Sequence, residues 1–135
     1  MKKKEYRYVT IWAEESHPDV LFNAYASKLD IDISIAKELI ENRLDFCEGQ
    51  PVYVLVDFTN VKSVTKEARD FMNNPEGGLQ GILGGAFLSN NVVATLFINL
   101  FLKVSSPAVP AKFFTTKAEA FKWLDKIKSE RAELV

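Results

Sequence analysis

His17 is the only histidine in the sequence and Cys47 the only cysteine. A histidine works as a general base when a neighbour orients one ring nitrogen and a wall shields the other. His17 precedes Pro18 at what reads as a hairpin tip, where the sequence supplies neither. Cys47 falls on an apolar helical stripe, where a thiol packs as a small hydrophobe and is not activated as a nucleophile. Glu38, Glu41 and Asp45 lie on the polar side of the same pattern, a solvated face and not the converging oxygens that a metal site needs. The glycines between positions 77 and 85 have the composition of a phosphate loop. They precede and enter a strand, however, whereas a phosphate loop follows one and opens a helix, and no Gly-Lys-Ser/Thr comes after. Ser63 and Thr65 stand just before a helix, where a phosphate would be stabilised by free N–H groups; unmodified, they read as a connection and a cap. No acid–base constellation assembles, so the sequence predicts a protein that is not an enzyme and carries neither metal nor cofactor.

The elements that would position these residues are ordered around one strand. Val52–Asp57 is a run of apolar, mostly β-branched or aromatic residues introduced by Pro51 and closed by Asp57. Such a run reads as a strand buried on both faces, which needs helical layers to cover it. Before it, residues 6–13 and 20–26 alternate as an antiparallel hairpin. Ile33, Ala36, Ile40, Leu44 and Cys47 then recur at helical spacing, with Asp32 or Ser34 as the cap and Gly49 as the stop. After it, residues 59–65 form a polar connection, Thr65 caps a helix from Lys66, and Pro75 ends it. Residues 82–88 form a strand, and Ser89, Asn90 and Asn91 cap an apolar helix over 92–104. A short strand over 111–115 leads to a last helix, opened by Thr116 and Glu119 as a capping box, with Phe121, Trp123, Leu124 and Ile127 inside. The order is β-β-α-β-α-β-α-β-α, an α/β fold with a mixed sheet of about five strands.

A chain of 135 residues, 47% hydrophobic, has the size of one domain with one core, here residues 1–135. Its 17 basic and 18 acidic residues leave a net charge of −1, no field to draw in nucleic acid or an anionic membrane. Lys2, Lys3 and Lys4 read as a solvated tail. One cysteine and the absence of an apolar signal core point to the cytoplasm. The apolar run over 92–104 falls short of the roughly twenty residues a membrane span needs.

If the last three strands run parallel, Asp57, Thr59, Ser89, Asn90, Thr115 and Thr116 share the sheet edge where open α/β sheets hold ligands. Each is equally a turn or cap residue, and Asp57 ahead of Thr59 suits an Asx turn. On the 92–104 helix, Phe97 and Phe101 point to the core, while Thr95 and Asn99 form the opposite stripe with Ile98 and Leu102 bordering them. Apolar residues exposed in that position predict an isologous homodimer contact through Thr95, Ile98, Asn99 and Leu102.

The order and wording of Val52-Tyr53-Val54-Leu55-Val56-Asp57-Phe58-Thr59-Asn60-Val61, Ala86-Phe87-Leu88, Phe97-Ile98-Asn99, Val109-Pro110-Ala111-Lys112-Phe113-Phe114-Thr115 and Ala120-Phe121-Lys122-Trp123-Leu124 resemble the SpoIIAA-like group. That group comprises the STAS domains of anti-sigma-factor antagonists and related small bacterial STAS/Sec14-like proteins, and the likeness runs from about residue 6 to residue 125. It implies a non-catalytic interaction or regulatory module, homodimeric, with a protein partner. The alternative it implies is a Sec14-like binder of a small apolar ligand or lipid. In antagonists the helix after the central strand opens with an Asp-Ser-Ser-Gly-like turn whose serine is phosphorylated. Lys66 falls at that serine here and no glycine follows, so that switch does not carry over, and Ser63 and Thr65 are the remaining hydroxyls. A closed core under the 92–104 helix would favour the interaction module; an apolar pocket of several hundred Å³ with an entrance, that helix forming one wall, would favour the binder.

Overall fold

The computed structural model describes residues 2–90 and 109–134. Its described elements, numbered in chain order, are β1 (Lys3–Glu5), β2 (Val9–Trp12), β3 (Val20–Tyr25), β4 (Leu29–Ile31), α1 (Ile33–Phe46), β5 (Val52–Asp57), β6 (Val61–Val64), α2 (Lys66–Met72), β7 (Ile82–Leu88), β8 (Ala111–Phe114) and α3 (Lys117–Leu134). Six strands form one sheet in the order β1-β2-β3-β5-β7-β8, and β4 and β6 pair separately. The first three strands are antiparallel, with Ile11 opposite Asn23, and the last four are parallel, with Leu55 opposite Phe22 on one side and Ala86 on the other.

β5 lies inside the sheet, and all of its residues from Val52 to Val56 are buried. The pleat sends Val52, Val54 and Val56 to one face, where they pack with Ala36, Leu39 and Phe46 of α1 and Ala68 and Met72 of α2. Tyr53 and Leu55 face the other way, against Ala120 and Leu124 of α3. The helix ends form as their residue types dictate. The Asp32 side chain accepts from the Ile35 N–H at 2.9 Å, and Thr65 Oγ1 accepts from the Ala68 N–H at 3.1 Å. Beyond α1, Glu48 and Gly49 take positive φ as the chain turns back.

Four expectations are corrected. Lys3 and Lys4 are not a free tail but part of β1, an edge strand whose exposed charged residues pair with Trp12 and Ile11 through the backbone. Residues 29–31 and 61–64 form a parallel two-stranded ribbon instead of a lead-in and a polar connection, so the strand count exceeds five. Lys62 and Ser63 masked that second strand as polar, although Val61 is buried beneath them. On α1 the buried stripe is Ala36, Leu39, Arg43 and Phe46, rotated from the expected Ile33, Ala36, Ile40, Leu44 and Cys47. His17 has both a partner and a wall. Its Nε2 lies 3.2 Å from Asp125 Oδ1, and its ring sits 4.2 Å from the Phe121 ring, which ties the β2–β3 turn to α3.

Candidate functional site

The expected sheet edge exists, because β5, β7 and β8 run parallel and end side by side. Asp57 Oδ1 accepts from the Thr59 N–H at 3.0 Å, which is the Asx turn. The Ser89 N–H donates to the Phe114 carbonyl at 3.3 Å, and Ser89 is buried. Asn90 and Thr115 are exposed, and Thr116 Oγ1 caps α3 through the Glu119 N–H. Asp57 lines a depression of about 210 Å³ there with Trp12, Phe22, Asn23, Leu55, Leu88 and Lys117. Ser63 donates to Asp30 across the ribbon, and Thr65 caps α2, so both hydroxyls hold local structure. Thr95, Ile98, Asn99 and Leu102 lie outside the described residues, as does the expected 92–104 helix.

A second, more apolar feature lies on the α1/α2 face of the sheet. A cleft of about 80 Å³, open to solvent on one side, lies against Val54 and Val56 of β5, with Leu39 and Ile40 of α1 and Met72 of α2 among its walls. Gly85 of β7 is on its floor, where a Cβ would make only ordinary contact with Val54, so the missing side chain leaves room. None of Asp57, Thr59, Ser89, Asn90 or Thr115 is among its described lining residues.

Four polar side chains interrupt these apolar walls: Asn23, Tyr25, Arg43 and Asn73. Arg43, the one charged residue among the described lining, is 4% exposed. It reaches this position because it falls on the buried stripe of α1 between Leu39 and Phe46. Its Nη2 donates to the Gln80 carbonyl at 2.7 Å and to the Gly78 carbonyl at 3.3 Å. Those carbonyls are aimed by the turn after α2. Asn74 Oδ1 accepts from the Glu76 N–H at 2.8 Å, and the Gly78 N–H donates to the Phe71 carbonyl at 3.0 Å. The chain then passes so close to the helix that a Cβ on Gly78 would lie 2.1 Å from the Met72 carbonyl oxygen.

Arg43 Nη1 is buried and has no hydrogen-bond partner among the described residues, and the same holds for Asn73 Nδ2. No described carboxylate forms an ion pair with Arg43. Segment 91–108 contains no acidic residue. Burial pulls the guanidinium below its ordinary pKa, and the nearby Cys47 and Tyr25 only partly oppose this. Desolvation pushes the Tyr25 phenol well above the usual range, against a smaller opposing effect of Arg43, so it stays a protonated donor. The signal for this site in the sequence is an arginine at the 36-39-43-46 spacing of an apolar stripe; its charge argued for the surface, but its long stem lets it sit inside.

Among the described residues no group of three or more His, Cys, Asp and Glu is placed to hold a metal, and no helix is long and apolar enough to cross a membrane. The fold is SpoIIAA-like. It is similar to the crystal structure of an uncharacterised DUF3478-family protein with a SpoIIAA-like fold from Shewanella loihica PV-4, with a TM-score of 0.58 and 19% identity over 92% of this chain and 99% of that one. No curated protein matches the sequence. The model of one family matches residues 11–128, and the chain accordingly belongs to the domain of unknown function DUF7793.

Proposed function

We propose that the protein is a non-catalytic binding module whose cleft, between the sheet and α1 and α2, holds a small molecule with an apolar chain. The observation that carries this reading is the open cleft within the packed face of the sheet, walled by Leu39, Ile40, Val54, Val56 and Met72 and floored by Gly85. Small-molecule sites have this make-up, with apolar walls and a few placed polar groups. Neither a carboxylate, an imidazole nor a thiol is among the described lining, and a guanidinium does not serve as a base at neutral pH, which supports binding without chemistry.

The neutral fluorophore N-phenyl-1-naphthylamine tests the reading. Its emission should rise on mixing with the protein and fall again when 1-decanol displaces it. Gly85→Val, which fills the floor at a strand position suited to a β-branched residue, should stay folded and lose that response. No emission change with the wild type, or an unchanged response in folded Gly85→Val, would remove the cleft from consideration.

A further inference from the structure

We propose that the cleft is selective for an amphiphile with a carboxylate head, held by Arg43 Nη1 with Asn73 Nδ2. This inference rests on the cleft being a ligand site and adds the chemistry of the head group. Buried guanidinium groups are ordinarily paired with carboxylates, because an uncompensated charge inside a protein is strongly unfavourable. Arg43 is only partly satisfied: Nη2 spans the Gly78 and Gln80 carbonyls and the side chain also meets Cys47, while Nη1 is left with no described partner. Two neutral carbonyls hold the side chain in place without neutralising it. Asn73 Nδ2 is a second buried donor lacking a described partner on the same cleft, and the protonated Tyr25 phenol is a third polar group on its wall.

Charge matching decides between anions. The described lining carries one cation and no anion, so one negative charge on the ligand neutralises it. A carboxylate brings one charge and two acceptor oxygens, which suits one guanidinium nitrogen and one amide. A dianionic phosphate would bring a second charge with no second cation among the described lining. The apolar walls then take the chain, so the ligand class is an alkyl carboxylate.

Isothermal titration calorimetry at pH 8 with decanoate, 1-decanol, decyltrimethylammonium and decyl phosphate separates the possibilities. The wild type should bind decanoate about tenfold or more tighter than 1-decanol, the scale of one charge-assisted hydrogen bond in a dry site. The cationic amphiphile should bind most weakly, and decyl phosphate should bind less tightly than decanoate. Arg43→Met, which keeps the apolar stem, should bind decanoate and 1-decanol about equally. Equal binding of decanoate and 1-decanol by the wild type would overturn the head-group inference while leaving the apolar cleft standing. Tighter binding of decyl phosphate would overturn the assignment to a carboxylate, and a preference that survives in folded Arg43→Met would overturn the role of Arg43. No binding of any of the four would overturn both this inference and the reading it rests on. Should Arg43→Met fail to fold, the Arg43 guanidinium ¹⁵N resonances of the wild type carry the test. They should shift with decanoate and stay in place with 1-decanol, and the reverse would sink the proposal.

Discussion

Asp57 closes β5 by folding its carboxylate back onto the Thr59 N–H, a role its position ahead of Thr59 and Asn60 made readable from the sequence. An amide oxygen accepts the same bond. Asp57→Asn should therefore change stability by less than about 0.5 kcal/mol, and Asp57→Ala should cost about 1 kcal/mol in urea unfolding. A loss of several kcal/mol in the asparagine variant would assign the charge itself a role. Tyr25 and Tyr6 both weaken the fold as the solution becomes alkaline. Burial raises both phenols, and for Tyr6 a hydrogen bond to Asp45 adds to the effect. Both hold their protons more tightly folded than unfolded, so their contribution to stability is complete below about pH 10, the ordinary phenol value, and is lost progressively as pH rises from there toward the raised folded values. Tyr25→Phe should make the fall in stability above that pH shallower; an unchanged slope would show that the Tyr25 phenol is not shielded. Arg43 was not legible, because charge is the usual mark of a surface residue, and only the Gly78 and Gln80 carbonyls, 35 and 37 residues away in sequence, make its burial tolerable.

Among the elements, the ones with strong local patterns were readable: the β2–β3 hairpin, β5, β7, α2 with its Thr65 cap, and α3 behind Thr116. The ones that were missed depend on distant pairing. β1 has no buried side chain and exists because β2 offers it a backbone partner, and β6 is a strand because β4 lies beside it. The polar sheet edge was readable, but the cleft was not, since its walls come from α1, α2, five strands of the sheet and the turn after α2. Two glycines differ in what surrounds them, and the difference is testable. At Gly78 a Cβ would meet Met72 backbone atoms, which cannot move aside, whereas at Gly84 the nearest atom is the flexible tip of Ile127, 2.6 Å away. Gly78→Ala should cost about 3 kcal/mol or more and Gly84→Ala about 1 kcal/mol in urea unfolding. Equal costs would contradict the rigid turn that aims the carbonyls at Arg43. On the opposite face, Leu124 is fully buried under the sheet, and Leu124→Ala should cost about 3 kcal/mol while leaving binding in the cleft unchanged.

Across the whole molecule, the sheet divides the described core into two faces with different make-up. The α3 face is packed by Val20, Tyr53, Ala120 and Leu124, with Phe121 and Trp123 against them, and its depression at the sheet edge, lined by Trp12, Phe22 and Leu55, lies beside Asp57 and Lys117. The α1/α2 face carries the cleft and the half-satisfied arginine. An apolar ligand is therefore expected on the α1/α2 face alone, which methyl-resolved NMR reads directly. With 1-decanol added to uniformly labelled protein, the methyl resonances of Leu39, Val54, Val56 and Ile82 should shift in a saturable way, while those of Val20, Leu55 and Leu124 stay in place. Shifts confined to the second set, or no saturable shift in the first, would contradict the assignment of the cleft as the binding site.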